Sequence, residues 1–558
     1  MLIRKLGIVS KTYRHVNRYR QILGVLFTYG YGDLVDRLNV DQYIEIGMQL
    51  ISRKRSGKAA KLNRAERIRI ALEDLGPTFV KLGQILSTRP DIIPPDVIKE
   101  LEKLQDDVPP FPFIEAKETI ERELGKPVEE VFASIDQKPL AAASIGQVHR
   151  ARLKSGDEVI VKVRRPGIGA EIEVDLEILL HLAMLAESHI DEMAIYRPTK
   201  IVEEFSRTLE NEIDYTVEAL YAERFGRQFL DSHAIYVPRV MSDLSTTCVL
   251  VMEYVDGIKV SEISVLDEKG YDRRIIAETG ADLLLQQVFD YGFFHADPHP
   301  GNLCILPGNV ICFLDFGMMG TVDRRSREDL ADMVYAIVKR DEEKATNALL
   351  AIVEIDGEPD RHVLEVDVAN LMEMYAYKPL REIRIEKVLR HMLDIISRHR
   401  LRLPFDKFLM MKALATMEGL GLRLDPDFDM TARAAPFIKR IKLERLSPKR
   451  IIDEVVTMGS DVIRLVRATP DEMRDIMKQI KQGRIRLVLD HQGLDILKAA
   501  LDSTGYRISL SLVAGALIIG SSLIISAEKG ISLFGISAFG LAGLVLAGLL
   551  AILMMVKR

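Results

Sequence analysis

Residues 508–527 read ISLSLVAGALIIGSSLIISA without a charged side chain, and residues 531–556 carry none either. Stretches this apolar must be withdrawn from water. Each, wound as a helix, can cross a hydrocarbon layer roughly 30 Å thick. Only Glu528-Lys529-Gly530 separates them, which suits a tight helical hairpin. Gly515, Gly520, Gly535, Gly540, Gly543 and Gly548 would let two such helices approach closely. Arg507 precedes the pair and Lys557-Arg558 follows it, so two crossings leave both flanks on one side, the cytoplasmic one by their positive charge. Residues 501–558 are therefore expected to be a transmembrane helical hairpin, with membrane lipid as a partner and the cytoplasmic face of a bacterial inner membrane as the location. The competing reading is a hairpin buried in a soluble domain, or the interface of a homo-oligomer.

The rest of the chain is an ordinary globular mixture. Its 558 residues, 48% hydrophobic and 28% charged, are enough for more than one core. A net charge of −6 leaves no excess of Lys and Arg to neutralise phosphates, which argues against nucleic acid as the main partner. Cys248, Cys304 and Cys312 make neither a disulfide framework nor a zinc pattern, and fit a reducing compartment. Residues 1–30 are basic (Arg4, Lys5, Lys11, Arg14, Arg18, Arg20), without the apolar core of a secretory leader. Leu2, Ile3, Ile8, Val16, Ile22 and Leu23 interleave with those charges. The helix they predict either lies on a membrane surface or packs on its own protein.

Residues 61–137 read as helical, punctuated by prolines at 90–95 and 109–112. The period then changes. Gly156-Asp157 marks a hairpin turn, and Glu158-Val159-Ile160-Val161-Lys162-Val163 alternates as a strand does. Helical runs occupy about 168–188 and 198–229, and Cys248 to Tyr254 is a buried strand. Helices dominate from about Asp272, broken by short strands near 303–306 and 310–314. The predicted order is a basic helical segment (1–60), a helical extension (61–137), a small strand-rich lobe with inserted helices (138–258), a large helical lobe (259–500) and the membrane hairpin (501–558).

The chemistry sits in two loops. Phe294-His295-Ala296-Asp297-Pro298-His299-Pro300-Gly301-Asn302 is followed, after two short strands, by Leu314-Asp315-Phe316-Gly317. An Asp, an Asn five positions later and a strand pair ending in Asp-Phe-Gly are the order of a kinase catalytic loop and its metal-binding segment. ATP carries dense negative charge, and Mg²⁺ bridging its phosphates wants hard oxygen ligands such as Asn302 and Asp315. Asp297 is the carboxylate that takes or orients the acceptor's proton. His295 and His299 are four apart, but the prolines around them exclude a regular helix and with it a zinc pair. His299 is expected to brace the loop, and Cys304 and Cys312 to be strand-core residues.

Upstream, Lys162 on its strand can hold the α- and β-phosphates. Judged alone, that strand is merely amphipathic. Before it, Leu140-Ala141-Ala142-Ala143-Ser144-Ile145-Gly146-Gln147-Val148 overlies the kinase glycine-rich template. Gly146 and Val148 are kept, but Ala141 and Ala143 stand where glycines would. Alanine resists positive φ, so this nucleotide-covering loop should be stiffer and meet phosphates differently. Met252-Glu253-Tyr254-Val255 resembles the inter-lobe hinge, with Glu253 and Val255 offering backbone groups to an adenine edge. Glu218 is the expected ion-pair partner of Lys162. The nearby acids Glu212 and Asp214 read by themselves as a solvated helix face.

With these motifs in view, the chain resembles the AarF/UbiB family of atypical kinases over roughly residues 60–500. The Ala-rich loop is one of three specific points of likeness. Lys81-Leu82-Gly83-Gln84 matches the family's K-x-G-Q signature, and Glu212-Ile213-Asp214 its E-x-D signature. From pattern alone Lys81 is a helix-surface lysine. The resemblance implies an α+β, two-lobed protein-kinase-like fold whose K-x-G-Q helix covers the site where a kinase admits protein substrate. Lys81 would then point at the E-x-D acids and the nucleotide, and Lys81, Gln84, Glu212 and Asp214 would regulate access. It also implies ATP and Mg²⁺ as cofactors, and a role in making ubiquinone or a related isoprenoid quinone. Quinone precursors and quinone-biosynthesis enzymes would be the partners. No Ala-Pro-Glu follows Asp315-Phe316-Gly317, so a peptide-docking segment is missing and an ATPase or small-molecule kinase fits better than a protein kinase. The alternative is a non-catalytic nucleotide-binding scaffold. A cytosolic antibiotic- or choline-type kinase shares the Asp–Asn loop but neither K-x-G-Q nor the hairpin.

Overall fold

Val159, Val161 and Val163 alternate with Ile160 and Lys162, so the strand Glu158–Arg164 sends successive side chains to opposite faces of its sheet. The three valines are fully buried with Ala116 and Ile120 of the helix Phe113–Leu124. Lys162 must therefore point the other way, into the cleft. The structure, a computed structural model, describes residues 13–38, 62–87, 89, 92–104, 109–194, 196–355, 359–376, 384–445, 447, 494–526, 532–533, 536–537 and 546–549. The chain divides into two compact units, Met1–Ile451 and Ile452–Arg558.

The small lobe is an antiparallel sheet in the order Phe132–Ile135, Gly146–Leu153, Glu158–Arg164, Val249–Glu253, with the short strand Ala141–Ala142 on Gly146–Leu153. Gly156 turns the central hairpin with φ +97°, a conformation costly for any residue with a Cβ. Among the described residues, four helices are inserted before the last strand: Ile168–His189, the short Asp191–Ala194, Pro198–Ile213 and Tyr215–Gln228. The sequence predicted one helix over 198–229. Asp214 breaks it, because its carboxylate accepts from the Thr216 N–H (3.0 Å) and caps a new helix. That break aims the first turn of the new helix, and Glu218 with it, at the cleft.

The extension is fixed from the N-terminal side. Asn63 and Glu66 form a reciprocal capping box on the helix Arg64–Leu75, and Pro77 opens the next helix, Pro77–Ser87. A Cβ on Gly83 would lie 2.3 Å from Leu104 Cδ1 and 2.8 Å from Leu72 Cδ1. Glycine there lets the K-x-G-Q helix lie against its neighbours. Of the two readings of the basic N-terminal helix, packing on its own protein is seen at Ile22 and Leu23 in Tyr13–Thr28, while Val16 is exposed and residues 1–12, with Leu2, Ile3 and Ile8, lie outside the described residues. Ile22 and Leu23 are buried, and Arg18 makes a bidentate pair with the fully buried Asp175 (2.6 and 2.9 Å). Arg18 also donates to the Leu75 carbonyl (2.6 Å).

The large lobe wraps one continuous core around the helices Arg273–Leu285 and Phe405–Leu424. A π-helical turn, Gln286–Tyr291, follows the first of them and delivers the strand Phe293–His295, which pairs antiparallel with Met319–Thr321. Leu303–Leu306 and Val310–Phe313 form the hairpin between the two loops, with Cys304 and Cys312 buried opposite each other. The mixed helix and sheet content is that of an α+β, kinase-like fold.

In the second unit a helix runs Leu494–Ser526. The second helix expected from residue 531 does not begin there. Ser532–Leu533 pairs antiparallel with Ile536–Ser537, residues with weaker helix preference than Ala or Leu in three of the four cases. Residues 546–549 are helical, and the remainder of that expected span lies outside the described residues. No helix among the described residues is long and apolar enough to cross a membrane.

Candidate functional site

Lys162 meets Glu218 in an ion pair beneath the small-lobe sheet, and its Nζ lies 3.9 Å from Asp315 Oδ1. Glu218 also accepts from the Phe316 N–H (3.3 Å), so one carboxylate ties the lysine strand to the Asp-Phe-Gly segment. Burial opposes the Lys162 charge, but Asp315 and Glu218 outweigh it and hold the ammonium above its ordinary pKa. Lys162 in turn holds the Asp315 carboxyl below its ordinary value, with help from the Gly317 N–H and from Lys81. Burial pushes the Glu218 carboxyl up, and Lys162 acts against that. Phe316 itself packs in the core against Phe225 on the Glu218 helix (ring centroids 5.5 Å apart), which locks helix and segment together.

The Asp297–Asn302 loop is braced by a buried histidine. The Gln287 side chain, from the π-helical turn, accepts the His295 N–H (2.9 Å). His295 Nε2 donates to the Asp315 carbonyl (2.7 Å), and its Nδ1 accepts from the Asp297 N–H (3.2 Å). One neutral ring thus joins both loops, and burial pushes its pKa down. His299 accepts from the Gly301 N–H (3.2 Å), a loop brace and not a metal ligand. Asn302 Nδ2 donates to the Asp297 carbonyl (3.4 Å), which turns its amide oxygen into the remaining acceptor. Lys412 Nζ lies 3.2 Å from Asp297 Oδ1.

The covering loop is a tight hairpin. The Leu140 N–H donates to the Val148 carbonyl (2.8 Å), Ala141 and Ala142 pair with Val148 and Gln147, and the Ala143 N–H donates to Gly146 (2.8 Å). Ser144 and Ile145 are buried, and Ile145 packs with Ile172, Phe205 and Leu209, and with Leu82 of the K-x-G-Q helix. A Cβ on Gly146 would sit 2.4 Å from the Tyr215 hydroxyl and 2.5 Å from the Val163 carbonyl, so only glycine fits. The Gln147 side chain faces away from the cleft: it accepts from the Phe111 N–H (3.1 Å) and meets His149 (2.9 Å). Glu253 spends its carboxylate on the Tyr236 hydroxyl (2.7 Å) and the Arg239 N–H (3.1 Å). The Tyr254 N–H still donates to the Glu158 carbonyl (3.0 Å), and residues 255–257 leave the ladder after it.

Lys81 pairs with Glu212 at 2.7 Å. The other two members of the expected regulatory set point elsewhere. Gln84 donates to the Leu104 carbonyl (3.3 Å), and Asp214 is the helix cap described above. A cavity of about 450 Å³ lies beside residues 317–321, lined also by Arg207, Asn211, Tyr221 and Phe405. Neither Lys162 nor Asp297 lines it.

Three sequence families match in order: an ABC1 atypical kinase-like domain over residues 103–349, a UbiB helical domain over 368–429 and an ABC1/UbiB kinase-like C-terminal domain over 492–557. "Probable protein kinase UbiB" of Azotobacter vinelandii is 36% identical over 80% of this chain and 84% of its own length. The chain belongs to the ABC1/UbiB family. "Uncharacterized protein sll1770" of Synechocystis is 35% identical over 82% of this chain and 79% of its own. A solved chain from the Rv3197–erythromycin complex of Mycobacterium tuberculosis aligns with TM-score 0.44 and 24% identity, over 64% of this chain and 90% of that one. Two side chains of this ABC1/UbiB site carried no sequence signal. Lys412 is more than a hundred residues from the loop it meets, and Gln287 is an ordinary helix glutamine by pattern.

Proposed function

We propose that this ABC1/UbiB chain binds Mg-ATP between its lobes and turns it over, as an ATPase or small-molecule kinase, in support of ubiquinone or related isoprenoid quinone synthesis at a membrane. The observation that carries this is the convergence of Lys162, Glu218 and Asp315 with the Asp297–Asn302 loop. A strand-borne ammonium, held charged by two carboxylates, suits the α- and β-phosphates. Residues 255–257, off the ladder, can offer backbone groups to an adenine edge.

The residues fit a magnesium ion. Asp315 is half-exposed, and its Oδ1, 3.9 Å from Lys162 Nζ, accepts from the Gly317 N–H (2.8 Å), which fixes the carboxylate beside the lysine. Asn302 keeps its amide oxygen available. Mg²⁺ is usually held by one or two such groups together with phosphates and water, so no larger protein cage is required. Bound Mg-ATP would supply an activated phosphoryl group with part of its charge already offset. Asp297 would orient water or an acceptor hydroxyl and take its proton. The exposed side chains Leu512, Val513, Ile518, Ile519 and Leu523 on the helix Leu494–Ser526 favour contact with lipid.

A scaffold that binds nucleotide without turnover is the second reading, favoured by the Ala-rich hairpin and by the Lys81–Glu212 pair over the site. Purified full-length chain separates the two. ATP hydrolysis should be measurable and should fall at least about a thousandfold in Asp315→Asn, a loss expected when the metal-held charge stabilisation goes. Unchanged hydrolysis in that variant contradicts the enzyme reading. In a strain lacking the protein, Asp297→Ala should fail to restore the quinone profile. Full restoration favours the scaffold.

A further inference from the structure

The loop that carries Asp297 contains no cation: residues 293–302 and 314–323 hold neither Lys nor Arg. The other two lysines of the cleft are engaged, Lys162 with Glu218 and Lys81 with Glu212. Yet phosphoryl transfer spreads negative charge over the outer phosphate at the Asp297 end. The group that meets Asp297 there is Lys412 Nζ, 3.2 Å from its Oδ1. Lys412 comes from the helix Phe405–Leu424, inside the stretch matched by the UbiB helical domain. Its neighbours Met410, Met411 and Ala413 are buried, which fixes the helix face, while the Lys412 side chain keeps about a quarter of its surface exposed. The pair is thus anchored at its base and open at its tip.

We propose that Lys412 is a catalytic residue that binds the terminal phosphate of ATP, a cation lent to the cleft by the helical domain. This rests on the reading of the cleft as a nucleotide site. An ammonium has three N–H donors. The ion pair with Asp297 at 3.2 Å leaves N–H donors for phosphate oxygens. A nucleophile held within hydrogen-bond reach of Asp297 lies beside the same ammonium. In the transfer, the nucleophile's oxygen bonds to phosphorus and its proton passes to Asp297. The bond to the bridging oxygen breaks, and ADP leaves with the electron pair. Lys412 stays protonated throughout and offsets charge on the moving phosphoryl oxygens. A lysine that only braced the loop would serve ADP and ATP alike, and this difference is what the test uses.

The test uses the full-length chain, with ADP and a non-hydrolysable ATP analogue, both with Mg²⁺, titrated by calorimetry. Lys412→Ala should weaken the ATP analogue about tenfold or more and leave ADP within about twofold. It should lower kcat by about 10², the range seen when one charge-stabilising donor is removed, and raise KM for ATP about as much as it weakens the analogue. Lys412→Arg should recover part of both. Equal weakening of both nucleotides, or of neither, overturns the proposal. If the unaltered chain binds both nucleotides without turnover, the enzyme reading fails while the affinity contrast still decides the role of Lys412. If it binds neither, the underlying reading fails and this proposal with it.

Discussion

Lys162 and Lys81 are both ammonium groups paired with a glutamate from the inserted helices, but their surroundings differ. Lys162 and Glu218 are nearly sealed from solvent, and Glu218 has a second bond to the Phe316 N–H. Lys81 is about as buried as Lys162 (14% against 12% exposed), but its partner Glu212 keeps 27% of its side chain exposed against 7% for Glu218, so the two pairs differ at the glutamate. A buried pair is costly to break because each partner strands the other without water. Glu212, with over a quarter of its side chain in water, can exchange its partner for water at less cost than Glu218 can. The cleft therefore has a rigid floor, preset for phosphates, beneath a cover whose polar contacts can be remade. The cover's permanent hold is apolar, through Leu82 against Ile145, Phe205 and Leu209.

The largest expected effect attacks the floor. Glu218→Ala leaves Lys162 buried beside Asp315 alone and should destabilise the first unit by about 3–5 kcal/mol, read as a lowered denaturation midpoint. Next is Gly146→Ala, whose new Cβ meets the Tyr215 hydroxyl and the Val163 backbone. It should cost about 1–3 kcal/mol by overpacking and weaken nucleotide binding with it. A smaller effect comes from pH. His295 is buried neutral with a lowered pKa. Asp315 and Asp297 face it and favour its charge, while Lys412 opposes it. The unfolded chain binds this proton more readily, so the His295 contribution is present above about pH 6.5. It is lost as pH falls from there through the native value. In metal-free protein the melting temperature should drop on acidification over that range, and less steeply in His295→Gln. The smallest effect is on the cover: Lys81→Met should change stability by no more than about 1 kcal/mol. It should also speed amide hydrogen exchange over residues 77–87. A loss as large as that of Glu218→Ala would erase the contrast between floor and cover.

The small lobe was readable because its physics is local. Alternation at Val159, Val161 and Val163 puts Lys162 on the opposite face of its strand, and Gly156-Asp157 marks the turn; the motifs around the strand, and not the alternation, identify that face with the cleft. The order of Asp297, Asn302 and Asp315 identified the loops for the same reason. What depended on distant neighbours was not readable. Asp214 looked like a helix-face acid until the chain turned at it and made it a cap. Gln147 lies within the covering-loop template but faces the extension, because strand alternation sends it toward Phe111. Arg18 and Asp175, Gln287 and His295, and Lys412 and Asp297 are pairs between elements, and no spacing along the chain announces them. In the C-terminal unit apolarity alone suggested a helix from residue 531, and it does not distinguish that from the paired strands at 532–537.

The account stands on a cleft that recognises nucleotide through a metal. Titration of the full-length chain with a non-hydrolysable ATP analogue, with and without Mg²⁺, tests this directly. The unaltered chain should bind at least about tenfold more tightly with Mg²⁺ than without it, and Asp315→Asn should lose that gain while keeping its fold. Equal affinity with and without the ion, or a gain that survives Asp315→Asn, would contradict the account.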